Sequence, residues 1–266
     1  MKVFFVLKTA GIAALLMSGF AHLSSAEQMK LRLGNEGTYP PFSFITTAGK
    51  LSGMEPDLAR EMCKRIDADC EIVTMDFKAL LPSLISGKLD IIVSQLTPLP
   101  ERLEKTEFTT PILLAPDSFI VSKDWDKGYD ASAFKGVKVG VQRGSSHAKY
   151  LKEHWPDAIP VYYENPDQQQ LDLLAGRVTA VFGAKLIWVM NFIDKPEGKD
   201  WKLSEQDFWV AGKVVGNSWA IQKGQLDLLE KVNSAITSMV ADCTYTNIRK
   251  KYLSVQGLAE EPAKCM

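Results

Sequence analysis

Three short stretches of the 266-residue sequence carry residue types that can do chemistry. Arg102 ends SQLTPLPER, past a strand-like run and a proline-rich turn. A planar guanidinium there can form two parallel hydrogen bonds to a carboxylate, which lysine cannot reproduce; the bland alternative is a solvated arginine in the charged helix start ERLEK. Gly144-Ser145-Ser146-His147 reads as the opening of a helix. Its free N–H groups and positive end favour an anion, and Ser145 suits the N-cap. Adjacent serine and histidine also invite a nucleophile, but no third, orienting group accompanies them, so no catalytic residue is assigned. In NEGTYPPF, Glu36 stands three residues before Tyr39, an acid near an aromatic. Outside the first 26 residues only His147 and His154 remain and there is no CxxC, so neither a metal nor a cofactor is expected.

Composition narrows the background. Being 46% hydrophobic and 24% charged, the chain matches an ordinary globular protein, with length for one large domain or two modest ones. A net charge of -1 gives no basic field for nucleic acid or for a membrane surface. Lys2 and Lys8 precede an apolar run, Ala10 to Phe20, and Ser24-Ser25-Ala26 offers small residues at a cleavage position. Residues 1–26 therefore read as a secretory signal cut after Ala26, and no cysteine at that junction suggests a lipid anchor. Export makes disulfides available to Cys63, Cys70, Cys243 and Cys265. Three connectivities are open, of which proximity favours 63–70 and 243–265.

The elements that must position these residues alternate between strand and helix, which predicts an α/β fold. MKLRLGNEGT alternates as a strand. EPDLAREMCKRI reads as a helix with Leu58, Met62 and Ile66 on one face. KALLPSLIS reads as a second helix with Pro82 near its first turn, stopped by Gly87. LDIIVSQ is the next strand. The pattern then recurs: LISGKLDIIVSQ (84–95) lines up with LLAGRVTAVFGA (173–184), and LRLGNEGT (31–38) with VKVGVQRGS (137–145). Two similarly built lobes follow. Ligands of open α/β sheets bind beyond the carboxyl ends of strands, so facing sheets would bring 36–39, 94–97, 144–147 and 183–185 into one cleft.

GNEGTYPPFSF, GKLSGMEPDLAREMCKRI, ALLPSL, LPER, GVKVGVQRGSS, LLAGR and ADCTYTNIRKKY, in this order, resemble the polar amino-acid-binding proteins of bacterial ABC importers. The resemblance covers essentially the whole chain after the signal. It implies a type II periplasmic binding protein fold of two α/β lobes. One lobe would hold 27–113 and 217–266 and the other 118–212, with 114–117 and 213–216 as hinge strands. It also implies closure around a small ligand with a carboxylate, docking on a membrane permease, a periplasmic location and a monomer. Residue by residue, Arg102 matches the arginine that clamps the ligand carboxylate. Thr97, with Ser94 and Gln95, matches positions at the carboxylate and ammonium ends. Tyr39 and Phe77 match the walls of the side-chain slot, and Glu36 matches an acid at the distal, often cationic, end. The turn with Ser145, Ser146 and His147, preceded by Gln142, would receive the carboxylate from across the cleft.

One position departs from the pattern. The family usually places an aspartate after the second-lobe strand to pair with the ligand α-ammonium; here FGAK puts Ala184 there, followed by Lys185. A methyl group cannot neutralise a desolvated ammonium. Either the ligand lacks a free primary ammonium, another acid has moved in, or water compensates. Opine-binding members share this lack, together with the Glu-Gly variant seen in NEGTY and a turn like GSSH. The expectation is therefore a binding protein, not an enzyme, for an opine-like, N-substituted amino acid, with unmodified arginine, lysine, histidine or glutamine as the alternative. A cyclohexadienyl-dehydratase-like enzyme is less favoured, because no paired proton donor and acceptor is visible. Lys185 and the neighbouring Arg143 read as solvated.

Overall fold

The alternating run MKLRLGN forms strand β1 (Met29–Asn35), which buries Leu31 and Leu33 while Lys30 and Arg32 face solvent. In the computed structural model, which describes residues 1, 28–210, 216–253 and 265, β1 lies inside a five-stranded sheet. Its order is β5 (Ala68–Thr74), β1, β6 (Ile91–Leu96), β13 (Ser218–Gln222) and β7 (Thr106–Phe108). A second sheet repeats the plan as β10 (Ile159–Tyr163), β9 (Lys138–Gln142), β11 (Ala180–Ala184), β8 (Asp117–Ser122) and β12 (Trp201–Leu203). A small third sheet joins β2 (Thr38–Tyr39), β3 (Ser43–Ile45) and β4 (Leu51–Ser52). The expected signal, beyond Met1, and residues 213–215 of the second expected hinge strand lie outside the described residues.

The internal repeat is real at this level. β1 and β6 are parallel neighbours in the first sheet, as β9 and β11 are in the second. Each sheet also takes one antiparallel strand next to that pair, β13 against β6 and β8 against β11. These are the strands by which the chain enters the second sheet and returns to the first. The two passages meet in single bridges, Leu113 with Asn217 and Asp117 with Phe208.

Helices cover the sheets as their apolar faces dictate. In α1 (Met54–Arg65), Leu58, Ala59 and Met62 are buried. α2 (Phe77–Ile85) carries Pro82 at its sixth residue, not in its first turn as its sequence suggests. The cost is limited because Pro82 and Lys78 both face solvent, so water can serve the carbonyl that the missing N–H would have served. Gly87, at φ 75°, closes α2 as expected. The short α3 (Pro100–Leu103), then α4 (Ser146–His154), α5 (Pro166–Leu174) and α6 (Lys185–Trp188) follow. α7 (Leu226–Ala241) and α8 (Thr244–Tyr252) return to the first lobe.

Cys63 is bonded to Cys70 and Cys243 to Cys265, the pairing that proximity favours. Cys243 has φ 68° and follows α7 where glycine would be unstrained. Its disulfide ties that turn to residue 265.

Candidate functional site

The carboxyl ends of β1 and β6 face that of β9 across the cleft, and the residues just past them enclose a small, nearly closed cavity. From the first lobe come Glu36, Tyr39, Phe77, Gln95 and Thr97; from the second come Gln142, Ser145, Ser146 and His147. Nine of the twelve ligand-site residues expected from sequence therefore line one space. The other three stand back from it. Ser94 lies beneath Glu36 and donates to its Oε1 at 3.3 Å. Arg102 lines a neighbouring pocket between the lobes, with Phe77, Gly144 and Ser145, and Ala184 packs against the apolar cluster of the first lobe. Asn217, which sequence reading does not single out, completes the lining.

Local sequence explains how the second-lobe turn is built. Gly144 takes φ 75°, a backbone region that a side chain disfavours, and turns the chain into α4. Ser145 is the N-cap: its Oγ accepts from Ala148 N at 3.2 Å and donates to Gln142 O at 2.7 Å. Ser146 and His147 are thereby carried to the cavity at a helix N-terminus.

The charges are buried and share few partners. Glu36 is 4% exposed and accepts from Ser94 and, at 2.8 Å, from Gln142 Nε2 across the cleft. Burial pushes its carboxyl up to about 7 against the pull of those two bonds. Glu55, at the start of α1, is fully buried behind Gln95, which donates to it at 3.2 Å, with the Trp219 indole the other group that favours its ionised form. Burial, then the nearby Glu36, holds it well above the usual carboxylate range. The Arg102 guanidinium donates to Thr97 O at 2.9 Å and to Gly144 O at 3.0 Å, one carbonyl from each lobe. Burial pulls it down to about 10. Among the described residues none of Glu36, Glu55 and Arg102 is in an ion pair. Lys185 turns to Asp207 at 2.6 Å and Arg143 to Glu164 at 3.1 Å, so both lie in surface pairs away from the cavity.

Bonds between the lobes hold the cleft shut. Thr97 Oγ1 meets Ser146 Oγ at 2.9 Å, Asn191 Nδ2 donates to Pro40 O at 2.6 Å, and Lys149 pairs with Glu101 at 2.7 Å. Behind Thr97 a relay runs inward: Thr97 donates to Asn217 Oδ1, and Asn217 Nδ2 donates to Gln95 Oε1, each at 3.0 Å. Asn217 also pairs through its backbone with Leu113, where the two passages between lobes meet.

The sequence model of the bacterial extracellular solute-binding proteins, family 3, matches residues 31–255. The chain is 35% identical over 233 residues to the histidine-binding periplasmic protein of Salmonella typhimurium, covering 86% of this chain and 89% of that protein. It superposes on an ancestral arginine-binding protein bound to arginine with TM-score 0.78 at 30% identity, covering 85% of this chain and 99% of the other. A His/Glu/Gln/Arg/opine family-binding protein from Silicibacter pomeroyi in complex with lysine gives TM-score 0.75 at 28% identity, covering 86% and 100%.

Proposed function

The chain belongs to family 3 of the bacterial extracellular solute-binding proteins, and from that premise we propose that it is a periplasmic receptor delivering a cationic amino acid to the permease of an ABC importer. The observation that carries the ligand class is the set of buried ionisable groups, none in an ion pair among the described residues, in and beside one small cavity. Arg102 has a desolvated guanidinium and no carboxylate, a costly state that a ligand carboxylate relieves. Glu36 and Glu55 are desolvated carboxyls with no cation. An arginine, lysine or histidinium ligand supplies a carboxylate for Arg102 and a distal cation for Glu36. Tyr39 and Phe77 offer the aromatic and apolar walls along which such a side chain, cation included, would lie.

Ala184 favours a second reading, the opine-like ligand. An N-substituted basic amino acid keeps the carboxylate and distal cation but places a substituent on the α-nitrogen, where the family aspartate would otherwise stand. Calorimetric titration of protein unfolded and refolded to strip retained ligand separates the two. Tight binding of L-arginine, L-lysine or L-histidine with weak binding of octopine or nopaline supports the first reading. The reverse order supports the second, and preference for glutamine or a neutral solute sinks both.

The ligand leaves unchanged in this proposal. Glu36 is tied to Ser94 and Gln142 and His147 to Asp117, so among the described residues the two are not paired with each other as proton donor and acceptor. Incubation with prephenate or arogenate is expected to return them intact.

A further inference from the structure

The cleft face of the second lobe has a buried acid one strand away from the position where the sequence lacks one. β8 and β11 run antiparallel with Asp117 directly opposite Ala184. Residues so paired project to the same face of a sheet with Cβ atoms roughly 5 Å apart. Asp117 is 6% exposed, and its carboxylate has two partners: Oδ1 lies 2.7 Å from His147 Nε2, and Oδ2 accepts from Val210 N at 3.0 Å. It does not reach the cavity itself; His147 does.

We propose that Asp117, acting through His147, supplies the acceptor for the ligand α-nitrogen that Ala184 cannot supply. The inference rests on the amino-acid reading above. An ionised carboxylate only accepts hydrogen bonds, so Nε2 of His147 carries the proton that points at Asp117. The other ring nitrogen, Nδ1, then keeps its lone pair. Nδ1 makes no hydrogen bond among the described residues, and Phe182 steadies the ring edge-on at 5.8 Å between centroids. The negative charge is felt on the facing wall as well. Burial, then Glu36, Asp117 and Glu55 in that order, raise the Tyr39 hydroxyl well above its ordinary range. Asp117 is thus a positioning residue: it fixes the tautomer and orientation of His147, as carboxylates do behind ligating histidines. The arrangement has a consequence for specificity. An aspartate at 184 would demand an ammonium with several N–H groups, whereas a single lone pair accepts one N–H, from a primary or a substituted amine alike.

The test compares L-arginine with its deamino analogue, 5-guanidinopentanoate, which keeps carboxylate and guanidinium but has no α-nitrogen. Wild type is expected to prefer arginine by about 10- to 100-fold, the worth of a charge-assisted hydrogen bond. Asp117→Asn can still accept from Val210 N, but its amide N–H faces Nε2 and moves the imidazole proton to Nδ1, presenting a donor to the amine. The preference should fall about tenfold or more in Asp117→Asn and in His147→Ala, and Asp117→Asn should add nothing in the His147→Ala background. An unchanged preference in either variant overturns the inference. So does a loss in Asp117→Asn that is equal for both ligands or that persists without His147, since either marks a purely structural role. Should Asp117→Asn fail to fold, as read by thermal unfolding without ligand, His147→Ala decides alone. Wild type binding neither arginine, lysine nor histidine removes the ligand reading and this inference together; wild-type binding with unmoved variants removes only this inference.

Discussion

The two lobes present opposite kinds of chemistry to the same cavity. The first brings the charge, with Glu36 in the lining, Glu55 behind it and Arg102 in the neighbouring pocket. The second brings polar hydrogen-bonding groups, Gln142, Ser145, Ser146 and His147, on a strand end and a helix start, and keeps its buried acid, Asp117, behind them. Their interiors differ too. The first lobe packs aliphatic residues, Leu33, Leu58, Met62, Val93 and Val232 among them, and holds both disulfides. The second is built around rings, Phe119, Phe134, Trp155, Phe182 and Phe208, with centroids of Phe119 and its four partners 4.2–5.4 Å apart. The division suggests that ligand is recognised by charge on the first lobe and then latched by the second. Neutral groups suit a latch, because they cost little to desolvate each time the cleft shuts.

If the first lobe does hold the electrostatics, Arg102→Ala should have the largest effect of any single change at the site. Losing one partner of a buried charge pair costs about 2–5 kcal/mol, so affinity should drop by roughly 30- to several thousand-fold in a calorimetric titration. Arg102→Lys should recover only part of it, since an ammonium cannot form the two parallel bonds. An Arg102→Ala variant within threefold of wild type would erase the proposed division between lobes.

The second contrast is covalent. Cys243–Cys265 closes a span of 22 residues and Cys63–Cys70 one of 7, both in the first lobe. Replacing Cys243 and Cys265 by serine should cost about 3 kcal/mol and the shorter bridge somewhat less, on chain-entropy grounds. Denaturant unfolding followed by far-UV dichroism measures this.

The residues legible in the sequence are those whose neighbours announce an element end. Ser145 reads as a cap and is one, Gly87 ends α2, and the repeated Gly-Lys/Arg-strand pattern puts β6 and β11 at matching places. Strand ends then nominate Thr97, Gln142 and their neighbours. What stays hidden depends on contacts across the fold. Glu55 looks like an ordinary acid in a helix's first turn, yet it stands three, four and seven residues before Leu58, Ala59 and Met62, on their buried face. That face was the available signal. Asp117 heads the buried strand DSFIVS and closes the expected hinge strand 114–117, and only the β8–β11 register sets it opposite Ala184. Asn217 reaches Thr97 from 120 residues away, through the chain's return to the first sheet, which no local pattern encodes.

Protonation tests whether Glu36 is the charge that a cationic ligand meets. Its carboxyl sits near 7 when folded, above its ordinary value of 4.5. Between those values the native state keeps a proton that the unfolded chain has released. Stability of ligand-free protein should therefore fall as pH rises from about 4.5 to 7, and Glu55, raised as well, extends the decline upward. A bound cation reverses the preference by favouring the carboxylate. Binding of arginine should thus tighten from pH 6 to 8, with at most about tenfold per pH unit for one released proton. Titration in buffers of different ionisation enthalpy counts that proton. Glu36→Gln should abolish both the release from this site and its share of the pH dependence of melting. Equal proton release in wild type and Glu36→Gln would assign the titration to Glu55 instead.

The smallest effect belongs to the latch. Thr97 Oγ1 contacts Ser146 Oγ across the cleft and also donates to Asn217 Oδ1, so it joins closure to the place where the passages between lobes meet. Thr97→Val keeps the shape and removes both bonds, at roughly 1 kcal/mol each at most. Ser146→Ala removes only the bond between lobes. Both variants should weaken binding several-fold, chiefly through faster dissociation, because the groups meet only once the cleft is shut. Thr97→Val should be the weaker binder by the share that Asn217 contributes. Stopped-flow dissociation distinguishes this from a defect in initial recognition: a slower association rate with unchanged dissociation would place Thr97 among the groups that first recognise the ligand, and not in the latch.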